Sequence, residues 1–159
     1  MPHRTSIRIA TTADIPDIVA IVNSAFEVET FLDGTRTDGN NVAGMMQKGE
    51  FLLMEDASGH LLASVFVELH GDRGYSGMFA VESSRQSMGL GRAMVEVVED
   101  HCRNHGCKFL DIKVLSPRTK LPPFYRSLGY VETGVEEFRI SRPLKDGIEC
   151  HFILMSKTL

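Results

Sequence analysis

The stretch Met78-Phe79-Ala80-Val81-Glu82-Ser83-Ser84-Arg85-Gln86-Ser87-Met88-Gly89-Leu90-Gly91-Arg92 has the residue types an anion site needs. An apolar, strand-like run passes into a polar turn, and the turn passes into a helical pattern that begins near Leu90. First-turn helix amides have no acceptor inside the helix and lie at the positive end of its dipole. Gly89 and Gly91 carry no side chain, so a diphosphate can come close to such amides there. Arg85 and Arg92 add positive charge nearby. Two glycines alone fit a plain glycine-rich helix entry equally well. Two common phosphate loops are excluded. No Gly-Lys pair exists for a P-loop, and the third position of a dinucleotide fingerprint is Met94 instead of Gly or Ala. What does fit is Gln-x-x-Gly-x-Gly at Gln86, Gly89 and Gly91.

Other constellations carry less chemistry. His101 and His105 stand one helical turn apart with Cys107 close by, but no Glu follows His101 as a zinc-protease motif requires. Histidines also suit a helix C-terminus for electrostatic reasons, and no metal site is expected. Gly74-Tyr75-Ser76-Gly77-Met78 lacks the last glycine of a nucleophile elbow and precedes a strand instead of a helix. None of Cys102, Cys107 and Cys150 has a His and carboxylate arrangement for thiol catalysis. Met45 and Met46 read as core filling.

The elements that position the loop alternate in type, as in an α/β domain. Ser6 to Ala10 reads as a strand, and Thr11 or Thr12 caps a helix with Ile15, Ile18, Val19, Val22 and Phe26 at helical spacing. Phe31 to Asn40 reads as a loop, and Val42, Met45 and Met46 as a short helix stopped at Gly49. Phe51–Glu55, His60–His70 and Tyr75–Val81 follow as strands joined by antiparallel hairpins. Leu90 to Asn104 is a helix with Leu90, Met94, Val97, Val98 and His101 near one face, ended at Gly106. Lys108 to Leu115 is a strand, Pro122 and Pro123 open a short helix ended at Gly129, and Tyr130–Thr133 and Cys150–Ser156 are the last strands.

The chain's 159 residues suit a single domain, 1–159. Its net charge of −4 argues against nucleic acid as a partner, because phosphate neutralisation needs clustered basic residues. No apolar run reaches the roughly 18 residues of a membrane helix, so no membrane partner is expected. Met1 to Ile9 has no following apolar stretch of signal-peptide type. Three cysteines, an odd number, read as reduced thiols, and a cytoplasmic location is expected.

The order of these pieces resembles the GCN5-related N-acetyltransferase (GNAT) family. The resemblance rests on Val81 ending a central strand, Gln86-x-x-Gly89-x-Gly91 opening a helix, and then Phe124-Tyr125-Arg126-Ser127-Leu128-Gly129-Tyr130 after the next strand. It covers nearly the whole chain. It implies a mixed, mostly antiparallel, twisted sheet of six to seven strands with splayed central strands and about four helices. It implies acetyl-CoA as co-substrate, held at its pyrophosphate by the backbone of Gln86, Ser87, Met88, Gly89, Leu90, Gly91 and Arg92. The pantetheine arm would pair with the backbone of Phe79, Ala80 and Val81 as an added strand. The family often places an Asn in the link after Leu115; here the link reads Ser116-Pro117-Arg118, and that Asn's role is carried to none of them.

Acetyl transfer from a thioester to an amine needs a neutral amine, a donor for the developing oxyanion, and a proton or hydrogen bond for the departing thiolate. The resemblance gives the last role to Tyr125, whose phenol can also donate on chemical grounds. Glu68 is the first choice of base, with Glu82, His70 and Asp72 as alternatives. Arg36 lies in a loop that borders the acceptor in the family and suits a carboxylate or phosphate; it equally suits an exposed loop. The expected activity is transfer of acetyl to a primary amine of a small molecule or peptide. A non-catalytic acyl-CoA-binding module, an unrelated α/β nucleotide-binding protein and O-acyl transfer stay open. By fold-level analogy, Cys150–Ser156 is the expected contact of a homodimer.

Overall fold

A computed structural model of the chain describes residues 4–32, 34–84, 89–138, 144, 145 and 147–159. Thr11 and Asp14 form a reciprocal capping box, and the Asp14 carboxylate also accepts from Arg8 at 2.8 and 2.6 Å. The box closes a short 3-10 turn, after which helix α1 runs Ile15–Ala25 with Pro16 in its first turn, where a missing amide costs no bond. Strand β1 is Thr5–Ile9, and helix α2 is Gly39–Met45 with Asp38 accepting from the Asn41 amide at 2.8 Å. Gly49 lies beyond α2, but not as a left-handed stop. A Cβ there would run into the Val67 carbonyl, so close approach to the sheet is what demands glycine.

Strands β2 (Glu50–Asp56), β3 (Leu61–His70) and β4 (Arg73–Val81) form the antiparallel meander expected from their turns. Helix α3 (Leu90–Asn104) crosses over to β5 (Phe109–Leu115), α4 (Leu121–Ser127) follows, and β6 (Val131–Glu137) and β7 (His151–Thr158) finish the chain. The seven strands lie in the order β1-β2-β3-β4-β5-β7-β6, with β4 and β5 parallel and the other neighbours antiparallel. With four helices among the described residues, this is the mostly antiparallel α/β architecture the sequence implies.

Alternation along the strands builds two cores. Leu52, Met54, Val65, Val67, Leu110, Ile112 and Val114 face α3, while Phe51, Leu53 and Phe66 face α1 and α2. On α3 the buried stripe is Met94, Val95, Val98, Glu99 and Cys102, rotated from the expected face through Val97 and His101. The reason is Glu99, a carboxylate in a core position. It accepts from Tyr130 Oη at 2.9 Å and from Lys157 Nζ at 3.1 Å, and apolar periodicity cannot register it. β6 is exposed along its whole length and longer than its apolar content suggests, because pairing with β7 fixes it. β7 in turn is paired on both edges, by β5 and β6. Both of its edges are therefore taken up within the chain.

Candidate active site

Backbone geometry makes the site. β4 and β5 pair from Arg73↔Phe109 to Ser76↔Ile112 and then part, although β4 continues to Val81 and β5 to Leu115. Between β3 and β4 the register jumps from Ser64↔Ala80 to Phe66↔Gly77, so Met78 and Phe79 together oppose one residue. Met78 takes φ +50°, the left-handed region, to make this bulge. The bulge reverses the alternation. Tyr75 packs against the α1–α2 core, yet Phe79 packs against the α3 core, while Met78 and Ala80 stay with α1.

A cavity of about 320 Å³ fills the gap between the parted strands. Phe79, Val81, Gly91, Val114, Leu121 and Tyr125 wall one part of it, and Phe26, Glu29, Arg36, Tyr75, Lys113 and Arg118 are among the residues walling the rest. A second, polar cavity of about 490 Å³ is lined by Thr35, Thr37, Asp38, Asn41 and Met45, and shares Arg36, Tyr75, Gly77 and Met78 with the first.

Of the expected CoA-binding residues, Phe79 and Val81 line the cavity, whereas Ala80 is not among its lining residues and is buried in the core under α1. Gln86, Ser87 and Met88 lie outside the described residues. Gly89 caps α3 at φ +75°, a conformation that favours glycine. Ala93 N–H donates to Gly89 O at 3.2 Å, and by helix geometry the amides of Leu90, Gly91 and Arg92 before it have no i−4 acceptor within the helix. A Cβ on Gly91 would lie 3.8 Å from Phe124 and 4.0 Å from Phe79, inside the cavity wall. Leu90 packs on the core and Arg92 is exposed. The described residues thus fit a diphosphate and thioester arm: helix-entry amides at one end, a parted strand edge alongside, apolar walls between.

Tyr125 is half-buried, with its ring edge-on to Phe124 at 5.1 Å and to Tyr130 at 5.5 Å. Burial pushes its phenol up to about 12, against a small opposing effect of Arg118. It is therefore a protonated donor at neutral pH. Tyr130 is committed to Glu99 and belongs to the core. Burial also raises the Tyr75 phenol, with Lys113 and Arg36 pulling it back. Glu68 does not line either cavity. It stands opposite Tyr75 in the ladder, and its carboxylate is 3.0 Å from His70 Nε2. Sequence reasoning missed Glu29, Lys113 and Arg118 as cavity residues. Arg118 was in view only as a departure from an expected Asn; Glu29 carried no signal, because its place depends on how α1 lies over the sheet.

A family model described as an acetyltransferase (GNAT) domain matches residues 19–151. The chain belongs to the GNAT acetyltransferase family. No curated protein sequence matches it significantly. Solved GNAT-type structures align over almost all of it. The ribosomal-protein-S18-alanine N-acetyltransferase from Escherichia coli is 20% identical with a TM-score of 0.78, covering 98% of this chain and 94% of that one. Ard1 from Thermoplasma volcanium is 18% identical with a TM-score of 0.77, covering 98% and 97%. A GNAT family acetyltransferase from Elizabethkingia anophelis, solved with acetyl-CoA bound, is 18% identical with a TM-score of 0.76, covering 98% of each. At such identities the likeness is one of fold.

Proposed function

We propose that this GNAT protein transfers the acetyl group of acetyl-CoA directly to a primary amine held beside it. The observation that carries the reading is the cavity at the parting of β4 and β5, with Gly91 and Tyr125 both on its walls. Acetyl-CoA supplies the activated acyl group. The chain's first-turn amides of α3 hold the diphosphate, and the stretch of β4 that has parted from β5, beyond Ser76, holds the arm by main-chain bonds. The two reacting ends meet without a covalent enzyme intermediate, and their positioning supplies much of the rate.

The amine nitrogen forms the new C–N bond as the C–S bond breaks. One amine proton leaves to water, and the thiolate is stabilised by the Tyr125 hydroxyl and takes its proton from that group or from water. Glu68 enters no step, since its carboxylate faces His70 and lines neither cavity.

The test is acetyl-CoA consumption with a panel of amines, with product masses read directly. Acetylated amine that needs both protein and acetyl-CoA is the expected result. Tight acetyl-CoA binding with no transfer to any amine would instead favour a non-catalytic acyl-CoA-binding module.

A further inference from the structure

We infer that the acceptor is a small arylalkylamine, a primary amine joined by a short linker to an aromatic ring, and that Phe26, Tyr75, Phe138 and Phe152 hold that ring in the first cavity. The inference rests on the acetyl-transfer reading above and assigns the chemical class of its second substrate.

Separate elements bring one ring each to this cavity. Phe26 follows the end of α1, Tyr75 lies on β4, Phe138 follows β6 and Phe152 lies on β7. The ladder partners Tyr75↔Asp111 and Leu115↔Phe152, with the alternation of β5 between them, put Tyr75, Lys113 and Phe152 on one face of the sheet. Phe26 reaches the same face with α1, and packs with Tyr75 against the core there. Phe138 is in contact with Phe152, their ring centres 5.6 Å apart and their planes tilted by 50°.

The charged side chains among these rings are already matched. Lys113 Nζ lies 2.7 Å from Glu136, and 5.9 and 5.6 Å from the centres of the Tyr75 and Phe152 rings. Arg118 lies 3.3 Å from the buried Glu29. Arg36 has a partner of its own and stands 5.2 Å from the centre of Phe26. What this part of the wall turns to an acceptor is therefore ring and aliphatic surface, Leu32 and Ile112 included. Such surface favours a ring, both by burial and by tilted ring contacts. A body carrying several ammonium, hydroxyl or carboxylate groups would give up water there without gaining partners. Size points the same way. About 320 Å³ must also hold the thioester end, which suits one ring on a short linker better than a length of peptide.

The experiment supplies acetyl-CoA with matched primary amines: phenylalkylamines, alkylamines of the same linker length without the ring, polyamines, and a short peptide with Phe at its N-terminus. Rates are compared per neutral amine, so that differing ammonium pKa values do not decide the outcome. The phenylalkylamines should exceed the ring-free amines and the polyamines by about tenfold or more in kcat/KM, the low end for burying a side chain the size of Phe. Phe138 is half-buried and lies outside the strands, so it is the ring to remove. Phe138→Ala should cut the preference for aryl over ring-free amines by about fivefold, and Phe138→Leu should restore part of it. Ring-free amines or polyamines used as well as the aryl ones, no phenylalkylamine acetylated, or a preference unmoved in a folded Phe138→Ala protein would overturn the assignment. Equal use of the Phe peptide would overturn it too, by making a peptide N-terminus the acceptor. Calorimetric titration with acetyl-CoA separates the failures. Binding with the wrong acceptor preference sinks only this inference, and absence of binding sinks the acetyl-transfer reading with it. A thermal melt of each variant checks folding, and the wild-type panel decides the question even if Phe138→Ala fails to fold.

Discussion

Replacing Tyr125 by Phe removes one oxygen from the cavity wall and leaves the ring contacts with Phe124 and Tyr130 in place. Its effect can be worked out from the two acids involved. The buried phenol stands at about 12, and a free thiol ionises near 8.5. Complete transfer of the proton from phenol to thiolate therefore runs uphill by about 3.5 pKa units, or about 4.8 kcal/mol. In the proposed reaction the hydroxyl would thus act mainly as a strong hydrogen-bond donor to the leaving sulfur, with water completing the protonation. A bond of that kind to a charged group is worth about 1.5–3 kcal/mol, which corresponds to a loss of roughly 10- to 150-fold in kcat. The affinity for acetyl-CoA should change by less than about twofold, because the neutral thioester sulfur is a poor acceptor. The pH dependence follows from the same numbers. The donor is present below its pKa and lost as pH rises through it, so the wild-type rate should show no falling alkaline limb before about pH 11. On the acid side the rate should climb with pH as the acceptor ammonium deprotonates. Steady-state kinetics from pH 6 to 10.5, with acetyl-CoA affinity measured by calorimetry, decides the matter. The reasoning is refuted if Tyr125→Phe keeps full kcat, if its whole effect lies in acetyl-CoA affinity, or if a limb near pH 9 vanishes with the hydroxyl.

Gly91→Ala should move stability and binding in opposite directions. The added Cβ meets only ordinary contacts at 3.8 and 4.0 Å, so helix propensity favours Ala by up to about 1 kcal/mol in a urea melt; acetyl-CoA affinity should fall by about tenfold, as a methyl group enters the approach to the first-turn amides. Lys157→Met leaves Glu99 buried with Tyr130 as its nearest donor, and should cost about 3 kcal/mol, the low end for a broken buried pair because Lys157 is partly exposed. Adding Glu99→Gln should recover much of that loss in the same melt. Asp14→Asn should destabilise by about 1 kcal/mol at neutral pH, a modest figure because the Arg8 partner is well exposed to solvent. Hydrogen bonds from Arg8 hold the Asp14 carboxyl down at about 2, below its ordinary 3.8. Its contribution is therefore complete above pH 4 and lost as pH falls toward 2, so the mutant and wild-type melting curves should converge in acid.

Much of this protein was legible along the chain, because the signals concerned are local. Helix periods, hairpin turns and the glycine pair at 89 and 91 depend on residues a few positions apart, and they placed the strands, the long helix and the candidate diphosphate end of the cavity. The order of those pieces also sufficed to suggest the family. The other end of the cavity was legible only at Arg36, and there only through the resemblance. Glu29, Arg36, Lys113 and Arg118 come from four separate segments, and only the lie of α1 over the parted strands brings them to one cavity. Glu99 drew no notice in the sequence, since Lys157 and Tyr130, which close around it, lie 58 and 31 residues away. The bulge at Met78, which turns Phe79 toward α3, belongs to the pairing of two strands and is written in neither alone. Local sequence determines which elements form, because backbone hydrogen bonding and side-chain period act over a turn or two. Which charges meet, and so what the cavity selects, is decided by packing between elements distant in the chain.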